Sequence, residues 1–215
     1  VAGRYRLDHC LGQGNLGNVY AALDLESQRL VTIKLAHQVG DGQSSRSMAA
    51  RFRRELELGQ KLRHPAIVQP LDSGTFLGSP FLVCEHVEGV SVAEWFEQSG
   101  RNFEALAATL EAILEALQLA HSQRIVHRAL KPGHILVDAQ GRPKILDFGL
   151  SARLDDQLAA GSRSALDLAY LSPEQILGER GDGCSDLCAL GAILYQLGAG
   201  VPPFQGKTVA QMLLC

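Results

Sequence analysis

The run His127-Arg128-Ala129-Leu130-Lys131-Pro132-Gly133-His134-Ile135-Leu136-Val137 follows a long amphipathic stretch, and Asp147-Phe148-Gly149 stands 20 residues after His127. That order restricts the fold more than any other feature of the chain. Upstream, Asn102 to Gln123 places Leu106, Leu110, Ile113, Leu114, Leu117 and Ala120 close to helical period, the pattern of a core helix able to carry the loop at His127 on a rigid base. Downstream, two short apolar runs flank Asp138-Ala139-Gln140-Gly141, a turn composition, so a β-hairpin is expected before Asp147.

The first third of the chain has a different texture. From Tyr5 to Ile33 apolar and polar residues alternate around glycines, which is strand patterning, and Gly12-Gln13-Gly14-Asn15-Leu16-Gly17 connects two of the strands. With 22 glycines in 215 residues, three glycines at fixed spacing arise by chance about 0.2 times per chain, so G-x-G-x-x-G alone is weak. Its setting matters more. A dinucleotide fingerprint needs its glycines to open a helix, whereas these lie between strand-like runs, with Val19 two residues on and Val31-Thr32-Ile33-Lys34 closing the next strand. Residues 38 to 47 are polar and glycine-rich and read as a loop, and Met48 to Leu62 as a helix. Phe81 to Gly89 reads as a strand ending in a turn, and Ser91 with Glu94 three residues later as the N-cap of a short helix through Trp95 and Phe96.

Composition narrows the classes. At 46% hydrophobic and 20% charged the chain is ordinary globular protein, and a net charge of -3 gives no basic excess, so nucleic acid is not an expected partner. Its five cysteines show no C-x-x-C spacing, which argues against a zinc site and a disulfide framework and fits a cytoplasmic setting. No apolar run reaches membrane-span length within this segment. The chain opens on Val1, which reads as a piece cut from a longer polypeptide.

Taken together, G-x-G-x-x-G-x-V at 12–19, V-T-I-K at 31–34, H-R-A-L-K-P-G-H at 127–134, D-F-G at 147–149 and S-P-E at 172–174 resemble the eukaryotic-type protein kinase domain, in its bacterial serine/threonine form. The resemblance runs from Gly12 to Phe204 with each element in order. It implies an α+β, bilobal protein kinase-like fold. Residues 1–87 would form a small antiparallel β-sheet lobe with one helix, and residues 88–215 a larger, mainly helical lobe lacking its last helices. An unrelated α/β binding protein would need all these motifs to coincide by accident.

The resemblance also assigns residues. Leu11, Gly12, Gly14, Gly17 and Val19 would cover the nucleotide, with Thr32 and Leu136 against the base. Lys34 would reach the phosphates, oriented by Glu55; Glu85 and Val87 would present the backbone that holds the adenine edge, with Cys84 behind it. Lys131 would sit near the γ-phosphate, Asp147 would hold magnesium, and Asp186 would anchor the loop at His127. Ser162 and Ser164 lie where an activation segment carries phosphorylation sites, within reach of Arg128.

Several positions depart from the family pattern. Ala129 stands at the usual catalytic Asp and His134 at the usual metal-binding Asn. Leu166-Asp167 replaces the Gly-Thr of the substrate side, Gly59 replaces an apolar side chain on the lobe's helix, and Glu174 is left without its arginine partner. A methyl group accepts no proton, so a pseudokinase is expected: a domain that binds ATP with magnesium, or with manganese through His134, at full or reduced affinity, but transfers phosphate weakly or not at all. It would act through a protein partner. Thr32, larger than the usual Ala, would tighten the base slot. The alternative is an active Ser/Thr kinase in which Asp167 stands in for the missing carboxylate. Nucleotide and a protein are the implied partners; composition is silent on oligomeric state.

Overall fold

The computed structural model describes residues 1–14, 17–37, 42–148 and 168–206, and the chain divides into two compact units, Val1–Glu88 and Gly89–Cys215.

In the first unit the alternating stretches form β1 (Tyr5–Gly14), β2 (Gly17–Asp24) and β3 (Arg29–Ala36), followed by α1 (Gly42–Lys61), β4 (Pro70–Phe76) and β5 (Ser79–Glu85). The strands make one antiparallel sheet in the order β1-β2-β3-β5-β4. Period-two alternation sends Val31 and Ile33 into a core with Tyr5, Ala22, Phe81 and Val83, which leaves Thr32 and Lys34 on the opposite face of β3. Tyr5 completes that core by stacking edge-on to Phe81 and donating its hydroxyl to Asp72 at 2.7 Å. Beside it, the Arg4 guanidinium grips both carboxylate oxygens of Asp24 at 2.9 and 2.8 Å, holding that carboxyl well below the usual range.

Helix α1 lies on β4 and β5 and buries Phe52 and Glu55, with Leu62 buried just past its last residue. It begins at Gly42, six residues before the expected start, so positions 42–47 are helical and not loop. Once Phe52 and Leu62 dock on the sheet, each further residue adds a hydrogen bond to an existing helix, which outweighs the weak propensity of a serine-rich run. Gly59 has an equally physical cause. A Cβ placed there would lie 2.1 Å from Cγ of Pro70, so the proline ring fills the space in which a larger helix side chain was expected.

The second unit opens with a two-residue strand, β6 (Val90–Ser91), and α2 (Val92–Gln98), capped as expected by Ser91, whose hydroxyl accepts from Glu94 N–H at 3.3 Å. Helix α3 (Phe103–Ser122) is capped by Asn102, which accepts from the N–H groups of Glu104 and Ala105, both at 3.0 Å. Its buried stripe is Leu106, Thr109, Ile113, Ala116, Leu117 and Ala120. Leu114, expected in the core, is exposed, and the polar Thr109 is buried because its hydroxyl reaches the Gly141 carbonyl at 3.0 Å.

After a 3-10 turn at Pro132–His134 come β7 (Ile135–Val137) and β8 (Pro143–Ile145), an antiparallel pair to which β6 adds a third strand. Asp138 closes their turn by accepting from the N–H groups of Gln140 and Arg142, both at 2.9 Å, with Gly141 in the left-handed conformation. Among the described residues two helices follow, α4 (Pro173–Ile176) and α5 (Gly183–Ala199). The final helix expected near Thr208 lies outside the described residues.

Glycine to alanine inside a helix normally stabilises by about 1 kcal/mol. For Gly59→Ala the clash with Pro70 reverses the sign, and urea unfolding should show a loss of about 1–3 kcal/mol, relieved in the Gly59→Ala/Pro70→Ala double variant. A stabilised Gly59→Ala protein would remove this account of the glycine.

Candidate functional site

The loop at His127 is built on a buried carboxylate. Asp186, in the first turn of α5, has no exposed surface; it accepts from the backbone N–H of His127 at 2.9 Å and of Arg128 at 2.7 Å, and pairs with His121 Nε2 at 2.8 Å. Arg128 takes a left-handed backbone, φ 64°, and its carbonyl accepts from the Gln175 amide at 2.8 Å while its guanidinium reaches the Gly181 carbonyl at 3.3 Å. His127 is fully buried. Its Nε2 donates to the Leu146 carbonyl at 2.7 Å, its Nδ1 accepts from Ala129 N–H at 3.3 Å, and Phe148 meets the ring edge-on with centroids 4.8 Å apart. Those bonds assign the proton to Nε2, the neutral tautomer. Asp147, one residue before Phe148, is also left-handed at φ 66°, a conformation that costs an ordinary residue about 1–2 kcal/mol. Strain of this kind collects where a side chain must be aimed.

The structure brings Ala129, Lys131, His134 and Asp147 into one neighbourhood of this unit. The Ala129 carbonyl lies 2.7 Å from His134 Nδ1, and His134 Nε2 lies 3.7 Å from the Asp147 carboxylate. Burial pushes the His134 imidazole down to about 4, outweighing the opposing pull of Asp147, so the ring is neutral at pH 7. Lys131 is half-buried at the head of the 3-10 turn, and Leu136 is half-buried in β7, paired with Ser91 and Lys144. No carboxylate stands at position 129.

Glu174 departs from expectation. In place of an arginine it has the hydroxyls of Ser172 and Ser185, which hold its carboxyl below the usual range.

In the first unit Lys34 Nζ lies 3.0 Å from Glu55, whose side chain is only 6% exposed. Glu55 therefore does not face water. Thr32 makes a contact that the strand pattern did not announce: its hydroxyl is 3.1 Å from His86 Nδ1, joining β3 to the residue between Glu85 and Val87. The Glu85 backbone N–H donates to the Gln69 carbonyl at 2.9 Å, its carboxylate accepts from Gln69 N–H at 3.1 Å, and Cys84 is buried behind it. Val87 is half-buried. Between β1 and β2, Gly14 pairs with Gly17, Gly12 and Lys34 both pair with Val19, and Leu11 is exposed. Gly17 is required by packing, since a Cβ there would lie 2.1 Å from the Leu35 carbonyl oxygen, whereas Gly12 has open space at that point. Residues 15 and 16 and 149–167, the latter with Gly149, Ser162, Ser164, Leu166 and Asp167, lie outside the described residues.

Taken by itself, each unit carries groups of definite chemistry: in the first, a Cβ at Gly12 would meet open space and the Lys34 ammonium is oriented by Glu55; in the second, Asp147 carries a hard carboxylate oxygen of the kind that suits a divalent cation. His134 presents an imidazole nitrogen beside the Asp147 carboxylate. Among the described residues no group of three or more His, Cys, Asp or Glu could hold a metal by itself.

Removing one partner of a desolvated ion pair takes from the other the charge that offsets its burial. Lys34→Ala should therefore lower the unfolding free energy by about 3–5 kcal/mol in urea titrations. A loss under about 1 kcal/mol would mean that water reaches the pair.

A profile of the protein kinase domain family matches residues 5–214. The serine/threonine-protein kinase PrkC of Bacillus subtilis is 35% identical over 216 residues, covering all of this chain and 33% of its own length. The serine/threonine-protein kinase PknB of Mycobacterium tuberculosis is 34% identical over 220 residues, 97% of this chain and 34% of its own. A probable serine/threonine-protein kinase PknB of Bifidobacterium longum is 36% identical over 224 residues, 97% of this chain and 32% of its own. The chain thus spans about a third of the length of the curated relatives it matches. With a sheet unit, a helical unit and the D-F-G and S-P-E elements in family order, the chain belongs to the protein kinase domain family, among relatives of the bacterial serine/threonine type.

Proposed function

We propose that this domain binds ATP with a divalent cation and has lost, or nearly lost, phosphoryl transfer, so that it acts on a protein partner as a regulatory or scaffolding pseudokinase. The single observation carrying this reading is Ala129, its backbone held by His127 and His134 yet its side chain ending in a methyl group. A substrate hydroxyl must lose its proton as it attacks, and a positioned base contributes about 10² to 10⁴ in rate. His134 is a poor substitute, since a group with its pKa near 4 is a weak base.

The residues that remain have definite tasks in this reading. Gly12, Gly14 and Gly17 offer backbone donors to phosphates; Lys34 neutralises charge on them while Glu55 keeps its ammonium in place. Leu11, Val19, Thr32 and Leu136 line the base, and Glu85 and Val87 hold its edge. Lys131 neutralises the terminal phosphate, and Asp147 holds the cation, which when bound withdraws negative charge from the phosphate oxygens. The sheet unit serves as the nucleotide lobe and the helical unit as the lobe of the loop and the protein partner. The free thiols of Cys10, Cys84, Cys184 and Cys188 support a reducing, cytoplasmic setting, and no helix among the described residues is long and apolar enough to cross a membrane.

A second reading is favoured by the relatives, which are named as serine/threonine kinases: an active kinase with a non-standard loop, in which Asp167 takes the proton.

Transfer of labelled γ-phosphate to serine or threonine peptides separates the two. The first reading expects transfer at background for the wild type and a gain of about 10²-fold or more in Ala129→Asp/His134→Asn. Wild-type turnover in the range of about 1–100 s⁻¹ usual for kinases, abolished by Asp167→Asn, establishes the second.

Thr32→Ala frees the base slot and breaks the bond to His86, so calorimetry should show ATP bound about tenfold more tightly. Unchanged affinity would remove Thr32 and its partner from the base site.

A further inference from the structure

We propose that the first unit binds a small single-ring aromatic molecule bearing a hydroxyl group, in a pocket on the face of its sheet opposite Thr32 and Lys34. The pocket lies within that unit and stands without the nucleotide-binding reading.

Strand register brings its walls together. Asn18 pairs with Leu35, Leu35 with Phe81, and Phe76 with Ser79 across their ladders. Directly paired residues share a face, and Leu35 stands two residues from Ile33, so these side chains take the core face of the sheet while Thr32 and Lys34 take the other. Tyr5, Ala22, Ile33 and Phe81 fill the middle of that face, with Leu35 and Phe76 packed against them. Where β2 begins and β3 and β4 end, a pocket of about 270 Å³ is left. Leu35, Ala36, Phe76 and Leu77 wall it, beside Asn18, His37 and Ser79. Drug-sized ligands occupy about 300–1,000 Å³, so this volume suits a single ring.

Asn18 supplies the polar requirement. Its amide nitrogen donates to the Tyr20 hydroxyl at 3.2 Å, and its Oδ1, shielded from water, has no hydrogen-bond partner among the described residues. Buried polar groups are normally paired, so this atom calls for a partner. A side-chain amide turns readily about its last torsion, which lets it meet a ligand in the pocket that it borders. Turning it through a half-circle exchanges oxygen for nitrogen and leaves the nitrogen over instead. A hydroxyl both donates and accepts, so it satisfies either arrangement.

The rim carries a second sign. Leu77 and Gly78 join β4 to β5 with φ of 49° and 80°, the form of two-residue hairpin turn that favours Asn-Gly. A leucine here takes a conformation that ordinary residues avoid, and its side chain is 76% exposed at the edge of the pocket. An asparagine would relieve the backbone and make the rim polar. A bound ring gives the leucine an apolar neighbour.

The hydroxyl separates this pocket from a plain apolar hole. Toluene and phenol have nearly the same shape, and apolar transfer alone favours toluene, because a hydroxyl leaves water less readily than a methyl group. An unpaired amide atom reverses that order.

The test is NMR of the whole chain, labelled with ¹³C at leucine methyl groups and titrated with phenol and, in parallel, with toluene. The expected result is saturable shifts centred on Leu35 and Leu77, with a phenol dissociation constant on the order of 1 mM and about threefold or more below that of toluene. In Asn18→Leu the order of the two should reverse. No shift at Leu35 and Leu77, or shifts scattered over both units, overturns the proposal. So does toluene binding as tightly as phenol in the wild type, or a preference for phenol that survives in Asn18→Leu. If that variant does not fold, the wild-type order of the two probes decides.

Discussion

A carboxylate with no contact to water, Asp186, holds the segment around which the second unit is organised. A buried charge is tolerated only when its lone pairs are engaged, and here two backbone N–H groups and a histidine engage them. That requirement ties the start of α5 to the loop at His127 and keeps Arg128 in its left-handed turn. From there the Gln175 amide, the Leu146 carbonyl and the Phe148 ring extend the network to the S-P-E and D-F-G elements. None of these bonds uses the side chain of residue 129. Scaffold and chemistry are therefore separable: the loop keeps its shape because its backbone is gripped, whatever side chain residue 129 carries.

A similar separation runs through the first unit. A buried ion pair adds little net stability relative to apolar packing of the same volume, so the Lys34–Glu55 contact is best understood through what it orients. Helix α1, which delivers Glu55, is seated by Phe52, Leu62 and the Gly59–Pro70 contact, all of them apolar. The helix is docked without the family's usual side chain at position 59, because a proline ring from β4 occupies that volume.

His134 shows how one replacement changes the character of a site. An amide at this position offers a cation a neutral oxygen. The imidazole bonds the Ala129 carbonyl through one nitrogen and leaves the other beside Asp147, so two departures five residues apart share a hydrogen bond. Read separately, Ala129 and His134 are two losses; in the folded loop they form one altered arrangement.

Much of the fold was legible in order and spacing. Alternation in 5–33, the caps at Ser91 and Asn102, the turn at Asp138 and the helix below the loop are local, governed by period and by hydrogen bonds a few residues long. The pairing of Lys34 with Glu55 and of Asp186 with the loop became readable through family register. What the chain alone could not reveal depends on atoms far apart in sequence. That α1 extends back to Gly42, that Leu114 is exposed while Thr109 is buried, that Ser172 and Ser185 satisfy Glu174 and that Thr32 meets His86 were decided by packing. The amino-acid sequence by itself determined which groups are present, above all a methyl in place of a carboxylate. Only the tertiary structure decided which of them touch, because a side chain's partner follows from where the backbone carries it, and the one-dimensional pattern records period but not distance.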